Sequence, residues 1–133
     1  MNSRDIALLA LREEAIGTIN SQSSSEEIFQ NKTLRPILKL QNDLFVIVFI
    51  NYAVKQKGTF FLLTPEKKVA YIENTIHRDI KFRNSLKGMV IGMFTCDEYE
   101  EYIKNSSSLN KRMMNMLIER LKSQVQLLEK VEL

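Results

Sequence analysis

The sequence has little with which to interrupt a helix or to build a metal site: one cysteine, one histidine, two prolines and four glycines. A lone cysteine, Cys96, excludes an intramolecular disulfide. With His77 as the only histidine, neither a zinc cluster nor a multi-histidine metal site can be assembled within one chain. No Gly-rich phosphate loop, Gly-x-Ser-x-Gly elbow or His-Glu-x-x-His occurs, so no cofactor is expected. Long apolar runs are also missing. The most apolar segment, residues 44–50, falls far below the roughly 18 residues of a membrane span. The stretch 6–11, closed by Arg12-Glu13-Glu14, is too short for a secretory signal. The expected compartment is the cytoplasm, with no membrane partner.

What is present suits one globular domain over residues 1–133. A chain of this length buries about two thirds of its unfolded surface and folds without metals or disulfides. Apolar residues make up 44% and charged residues 26%. The 19 Lys and Arg against 16 Asp and Glu give a net charge of +3. That balance permits an acidic partner without requiring one.

Helix starts are easier to read than helix interiors, because side-chain oxygens must satisfy the first free backbone N–H groups. Ser3 precedes a first helix to about residue 16, with Ile6, Leu9, Ala10, Glu13 and Ile16 at helical spacing and Gly17 near its end. Residues 20–25 read as a loop. Ser24-Ser25-Glu26-Glu27 fits a capping box for a short helix to about Asn31. Thr33 suits the cap of the next helix, with Pro36 in its first turn and an extent of 34–55. Within it, residues 44–50 are rich in β-branched and aromatic side chains and would also suit a buried strand, hairpinned through Lys57-Gly58 to 59–63. Helix is favoured, since Ile37, Leu40, Leu44, Ile47, Val48 and Tyr52 continue one stripe.

Thr64-Pro65-Glu66 starts another helix, with Val69, Ile72, Ile76 and Ile80 as its stripe. Continued straight, Arg83 and Lys87 would fall inside that stripe, while Phe82, Leu86, Met89, Val90 and Met93 turn away. A break near Asp79 is therefore expected, with Asp79 as the new cap. Thr95-Cys96-Asp97-Glu98 is a second capping box, for a short helix to about Lys104. A last helix over 109–130 presents Met114, Leu117, Ile118, Leu121, Val125 and Leu128 as a seam. The expected fold is all-α, a compact bundle of about six or seven helices.

The chemistry on offer is thin. Cys96 near a helix start could pair with His77 as a nucleophile, but a surface histidine and a cysteine filling a helix start account for both. Asp97, Glu98, Glu100 and Glu101 are acids already suited to a helix's first turns. Gly88 and Gly92 share one helical face, where missing Cβ atoms would allow a close helix contact. The most suggestive segment is Arg78-Asp79-Ile80-Lys81-Phe82-Arg83-Asn84-Ser85-Leu86-Lys87, four cations against one acid, with Lys111 and Arg112 as possible extensions. Arg78, Lys81, Arg83, Lys87, Lys111 and Arg112 form a candidate basic patch able to hold phosphates. A solvated face with salt bridges accounts for them more readily, since aromatic residues are not interleaved as stacking platforms and Phe82 belongs to the apolar stripe.

The stretches 27–45, 78–95 and Leu109-Asn110-Lys111-Arg112-Met113-Met114-Asn115-Met116 resemble a group of small uncharacterised bacterial proteins sometimes labelled glyoxalase. The resemblance covers most of the chain and implies a bacterial origin. It brings no mechanism with it: glyoxalase I-type enzymes use βαβββ modules whose His and Glu side chains bind a metal, and one histidine cannot supply that set. The expected role is a non-enzymatic interaction or adaptor module that binds a protein partner or itself, supported by the final seam and by six methionines. The alternative is association with nucleic acid through the basic patch.

Overall fold

Asn2 begins the first helix: its side-chain oxygen accepts from the N–H of Asp5 at 2.8 Å and caps α1 (Ser3–Leu11). The computed structural model describes residues 1–15, 17 and 23–129. Ile16, expected to end this helix, and most of the loop after it lie outside the described residues. α1 ends at Leu11, well short of the expected 16, because Arg12 has extended backbone with φ −109° and ψ 155°.

Ser24 caps α2 (Ser25–Phe29), accepting from Glu27 N–H at 3.1 Å. Beyond Phe29 the chain does not stop and restart at Thr33. It passes through a π turn (Gln30–Leu34) directly into α3 (Arg35–Leu40). Pro36 supplies the physical reason, having no N–H to donate and a ring that crowds the carbonyl four residues back in a tight helix. Widening the preceding turn relieves both. Thr33 is then a buried residue inside a helix, not a cap.

The expected helix 34–55 is also divided. Gln41 leaves the helical region with φ −89° and ψ 2°, and α4 (Asn42–Lys55) sets off at 63° to the preceding helix. The corner is held by a reciprocal amide pair: Asn42 donates to Gln124 Oε1 at 2.6 Å, and Gln124 Nε2 donates back at 2.8 Å. Residues 44–50 are helical, which settles the choice between helix and strand. α4 closes through Lys57 and Gly58, both at φ 69°, with Gly58 N–H reaching Ala53 O at 3.0 Å. Glycine carries that left-handed geometry without a Cβ clash.

A short 3₁₀ turn (Thr59–Leu62) leads to Thr64, which caps α5 (Pro65–Arg78). The expected break falls at Asp79, whose carboxylate accepts from Phe82 N–H at 3.1 Å and starts α6 (Ile80–Ile91). Thr95 and Glu98 form the full capping box of α7 (Cys96–Ile103). α8 (Ser106–Ser123) begins three residues earlier than expected and stops sooner, ending in a 3₁₀ turn (Val125–Leu127). With α2 and α3 running as one, the fold is an all-α bundle of seven helices, and no strand occurs among the described residues.

One contiguous core unites these helices. Phe49 of α4 lies at its centre, fully buried, with the rings of Phe60, Tyr71, Phe82 and Tyr52 at 5.2, 6.3, 6.3 and 6.4 Å. Near the other end, Phe94 packs edge-on against Phe29 and Tyr102. α8 buries Leu109, Met113, Met114, Leu117, Ile118 and Leu121. The seam expected to bind a partner thus faces the protein's own interior. Two methionines are buried there and three more pack against the core, so most of the methionines fill gaps.

α1 is attached differently, with Asp5 as its only buried residue. Arg4 donates to the carbonyls of Gly92 at 2.8 Å and Phe94 at 2.9 Å, which have no helical partner beyond the end of α6. Asp5 accepts from Cys96 N–H at 3.0 Å, at the positive end of α7. That bond holds the Asp5 carboxyl below the usual carboxylate range. Among the described residues, no single helix is long and apolar enough to cross a membrane.

Candidate functional site

Of the six cations proposed as a patch, three converge. Arg83 and Lys87 stand one turn apart on α6, and Lys111 approaches from α8. Together with His77 at the end of α5 they line a groove of about 330 Å³. Its α8 wall is completed by Ser107, Asn110, Met114 and Asn115, positions that recur on one helical face. Among the described residues, no aspartate or glutamate lines it.

The break at Asp79 creates this arrangement. Asp79 accepts hydrogen bonds from Phe82 N–H and from the Tyr52 hydroxyl, the latter at 2.6 Å, which ties the α5–α6 corner to the central helix. The Tyr52 hydroxyl is the main cause of the depressed Asp79 pKa. Burial, followed by that same contact, raises the Tyr52 pKa. Because α6 restarts in a new direction, Phe82, Leu86 and Val90 turn into the core and the two cations turn out beside α8. Arg83 Nη1 donates to His77 O at 2.7 Å, placing a positive charge at the carbonyl end of α5. On the opposite wall, the Tyr102 hydroxyl donates to Asn110 Oδ1. That fixes the amide so that its NH₂ is the group left for the groove.

The other three cations do not join them. Arg112 points to a different side of α8, where it donates to Gln30 at 2.8 Å and faces Glu26 at 3.9 Å. Arg78 and Lys81 are exposed and absent from the groove lining. The proposed close helix contact at Gly88 and Gly92 is not formed. A Cβ on Gly88 would meet nothing within 4 Å, and one on Gly92 would meet only the Gly88 carbonyl of its own helix at 3.1 Å. The glycines face solvent because the new direction of α6 places Leu86 and Val90 inward.

His77 and Cys96 line separate cavities, so they are not brought together as a nucleophilic pair. Among the described residues, no group of three or more His, Cys, Asp or Glu side chains could hold a metal ion. Of the four acids considered, Glu98 is committed to structure. It binds Thr95 N–H at 2.8 Å, the Thr33 hydroxyl at 2.9 Å and Arg12 Nη2 at 2.5 Å. Burial pushes its carboxyl up, but these three donors outweigh burial and hold it below the usual range. The Arg12 side chain is only 3% exposed, and its Nε and Nη1 have no hydrogen-bond partner among the described residues.

A second surface corrects an expectation: the stripe Ile37, Leu40, Leu44, Ile47, Val48 and Tyr52, expected to make this a central, buried helix, has only Ile37 buried, because α4 turns Phe45, Phe49, Ile50 and Ala53 to the core instead. α4 is apolar on all sides, yet only Phe45, Phe49, Ile50 and Ala53 are buried. On its outer side Leu44, Ile47 and Val54 are 45, 64 and 41% exposed, with Asn51 in line between them and exposed Leu40 just before the corner. No charged residue lies in α4 between Asp43 and Lys55. The signal that could have found this surface is the absence of any polar face on this helix.

Comparison of the chain with known protein families, with curated proteins and with solved structures finds no match.

Proposed function

We propose that the protein is a non-enzymatic helical interaction module that pairs with a second copy of itself through the outer face of α4. The observation that carries this reading is a central helix with apolar residues all round and only one side covered. A helix of that composition belongs inside a protein, and an exposed apolar strip is the usual mark of a contact surface. Self-pairing is the simplest use of the strip. A two-fold interface needs only a face complementary to itself, and an uncharged row of Leu44, Ile47, Asn51 and Val54 meets that requirement. The separation of His77 from Cys96 favours an interaction role over nucleophilic catalysis.

Light scattering after size exclusion tests the proposal. The wild-type protein is expected to pass from monomer to dimer as its concentration rises into the high micromolar range, about −5 to −6 kcal/mol of association. Ile47→Glu is expected to hold it monomeric without unfolding it. A wild type that stays strictly monomeric at about 0.5 mM overturns self-pairing, as does an Ile47→Glu variant that dimerises like the wild type.

A further inference from the structure

We propose that the groove between α6 and α8 is a binding site for a small phosphorylated ligand, held through a phosphomonoester or diphosphate group by Arg83, Lys87 and Lys111. The α4 face takes no part in this, so either idea can fail without the other.

Three cationic side chains from two helices line one concavity with no acidic residue on its walls among the described residues. Elsewhere on the protein Lys39 meets Glu13, Lys104 meets Glu101, and Lys122 meets Glu73 and Glu119, all within 3.3 Å. Among the described residues Lys87 and Lys111 have no such partner; Lys32, Lys55, Lys57, Lys67, Lys68 and Lys81 have none either, and what sets Lys87 and Lys111 apart is that they share one groove with Arg83. Glu73 lies one turn before His77 on α5, but it is engaged by Lys122 and does not line the groove. Gathering like charges in a groove costs free energy, and an anion placed among them offsets it.

Donor geometry narrows the ligand. The Arg83 contact with the His77 carbonyl uses one Nη1 hydrogen and leaves the rest of its planar donor fork, suited to two phosphate oxygens. Lys87 and Lys111 add point charges from opposite walls. Ser107 and Asn115 offer neutral polar groups, and Asn110 offers the NH₂ selected by Tyr102.

Size and shape argue for a small molecule over a nucleic-acid strand. The volume of about 330 Å³ matches the lower end of small-molecule sites. A strand would need a track of cations and aromatic platforms. Here Arg112 is turned away, Arg78 and Lys81 lie outside the groove, and the lining has no Phe, Tyr or Trp.

The test is calorimetric titration of the full chain with inorganic phosphate, pyrophosphate and glycerol 3-phosphate, beside a single-stranded RNA of about 12 nucleotides. Saturable binding of pyrophosphate or glycerol 3-phosphate is expected with Kd below about 1 mM. Lys87→Glu and Lys111→Glu are each expected to weaken it by at least about tenfold. Lys67→Glu, far from the groove lining, is expected to leave it within about twofold. Circular dichroism of every variant separates lost binding from lost fold, and the milder Lys87→Gln and Lys111→Gln replace any variant that unfolds. No saturable phosphate binding up to about 10 mM overturns the proposal. Binding indifferent to both lysines, or RNA binding through these lysines without pyrophosphate or glycerol 3-phosphate binding, overturns it too.

Discussion

Truncating Phe49 and truncating Ile47 should have opposite consequences, although the two residues stand two positions apart on the same helix. Phe49 is fully buried with four aromatic rings around it. A buried Phe removes on the order of 150–250 Å² from water, which at about 25 cal/mol per Å² corresponds to roughly 4–6 kcal/mol. Large-to-small series give about 3–5 kcal/mol for the same change, so the ranges overlap near 4. Ile47 is 64% exposed, and its replacement by alanine should stay within about 0.5 kcal/mol in the monomer. Urea unfolding followed by far-UV circular dichroism reads both. With a slope near 2 kcal/mol per molar, Phe49→Ala moves the midpoint down by about 2 M and Ile47→Ala by about 0.25 M or less. The comparison belongs at about 1 μM protein, where association is negligible, because a dimer adds its own concentration-dependent stability. If Ile47→Ala costs more than about 2 kcal/mol and Phe49→Ala less than about 1 at that concentration, α4 is rotated from the orientation described and its outer face is not free.

Glu98→Ala should destabilise by about 3 kcal/mol or more, since it strands the buried guanidinium of Arg12, whereas Arg12→Met should cost far less; equal effects in thermal melts would refute the role given to this pair. Gly88→Ala should stabilise by about 0.5–1 kcal/mol, because the Cβ enters open space in mid-helix, and a loss in a urea titration would reveal a contact at that face. Asp5, Asp79 and Glu98 all have carboxyl pKa values depressed in the fold. As pH falls through their ordinary values of 3.8 and 4.5, the unfolded chain takes up protons first, so Tm should hold above that window and decline below it. Asp79→Asn should shrink the decline, and a Tm that rises with acid contradicts the assignment. At the alkaline end Tyr52 keeps its proton above its ordinary 10.0, so stability should also fall as pH rises past that value.

Helix starts were legible because they depend on local chemistry. Ser24, Thr64, Asp79 and Thr95 each accept the backbone N–H three residues on, as their side chains and positions imply. Three of the errors share one cause, a distant part of the chain overriding a local signal. Thr33 has the chemistry of a cap, but its hydroxyl instead reaches Glu98, 65 residues away. The corner at Gln41 precedes an amide pair with Gln124, which no window around residue 41 contains. The early end of α1 leads straight into Arg12, whose partner is 86 residues away.

The candidate site follows the same logic with a different outcome. The interruption of an apolar stripe by Arg83 and Lys87 is a local signal that locates the break at Asp79, and both cations line the groove beside it. What could not be read was which of the remaining cations would meet them. Lys111 and Arg112 are adjacent, yet neighbouring residues on a helix project about 100° apart, so one joins the groove while the other turns to Gln30. Periodicity was equally unable to apportion the apolar faces. α8 carried the more regular seam and spends it on the core, whereas α4, without a polar face to orient it, leaves Leu44, Ile47 and Val54 in solvent. A regular stripe therefore marks the surface a helix has already matched to its own fold. On α4, where apolar residues exceed what the core covers, the excess is left in solvent.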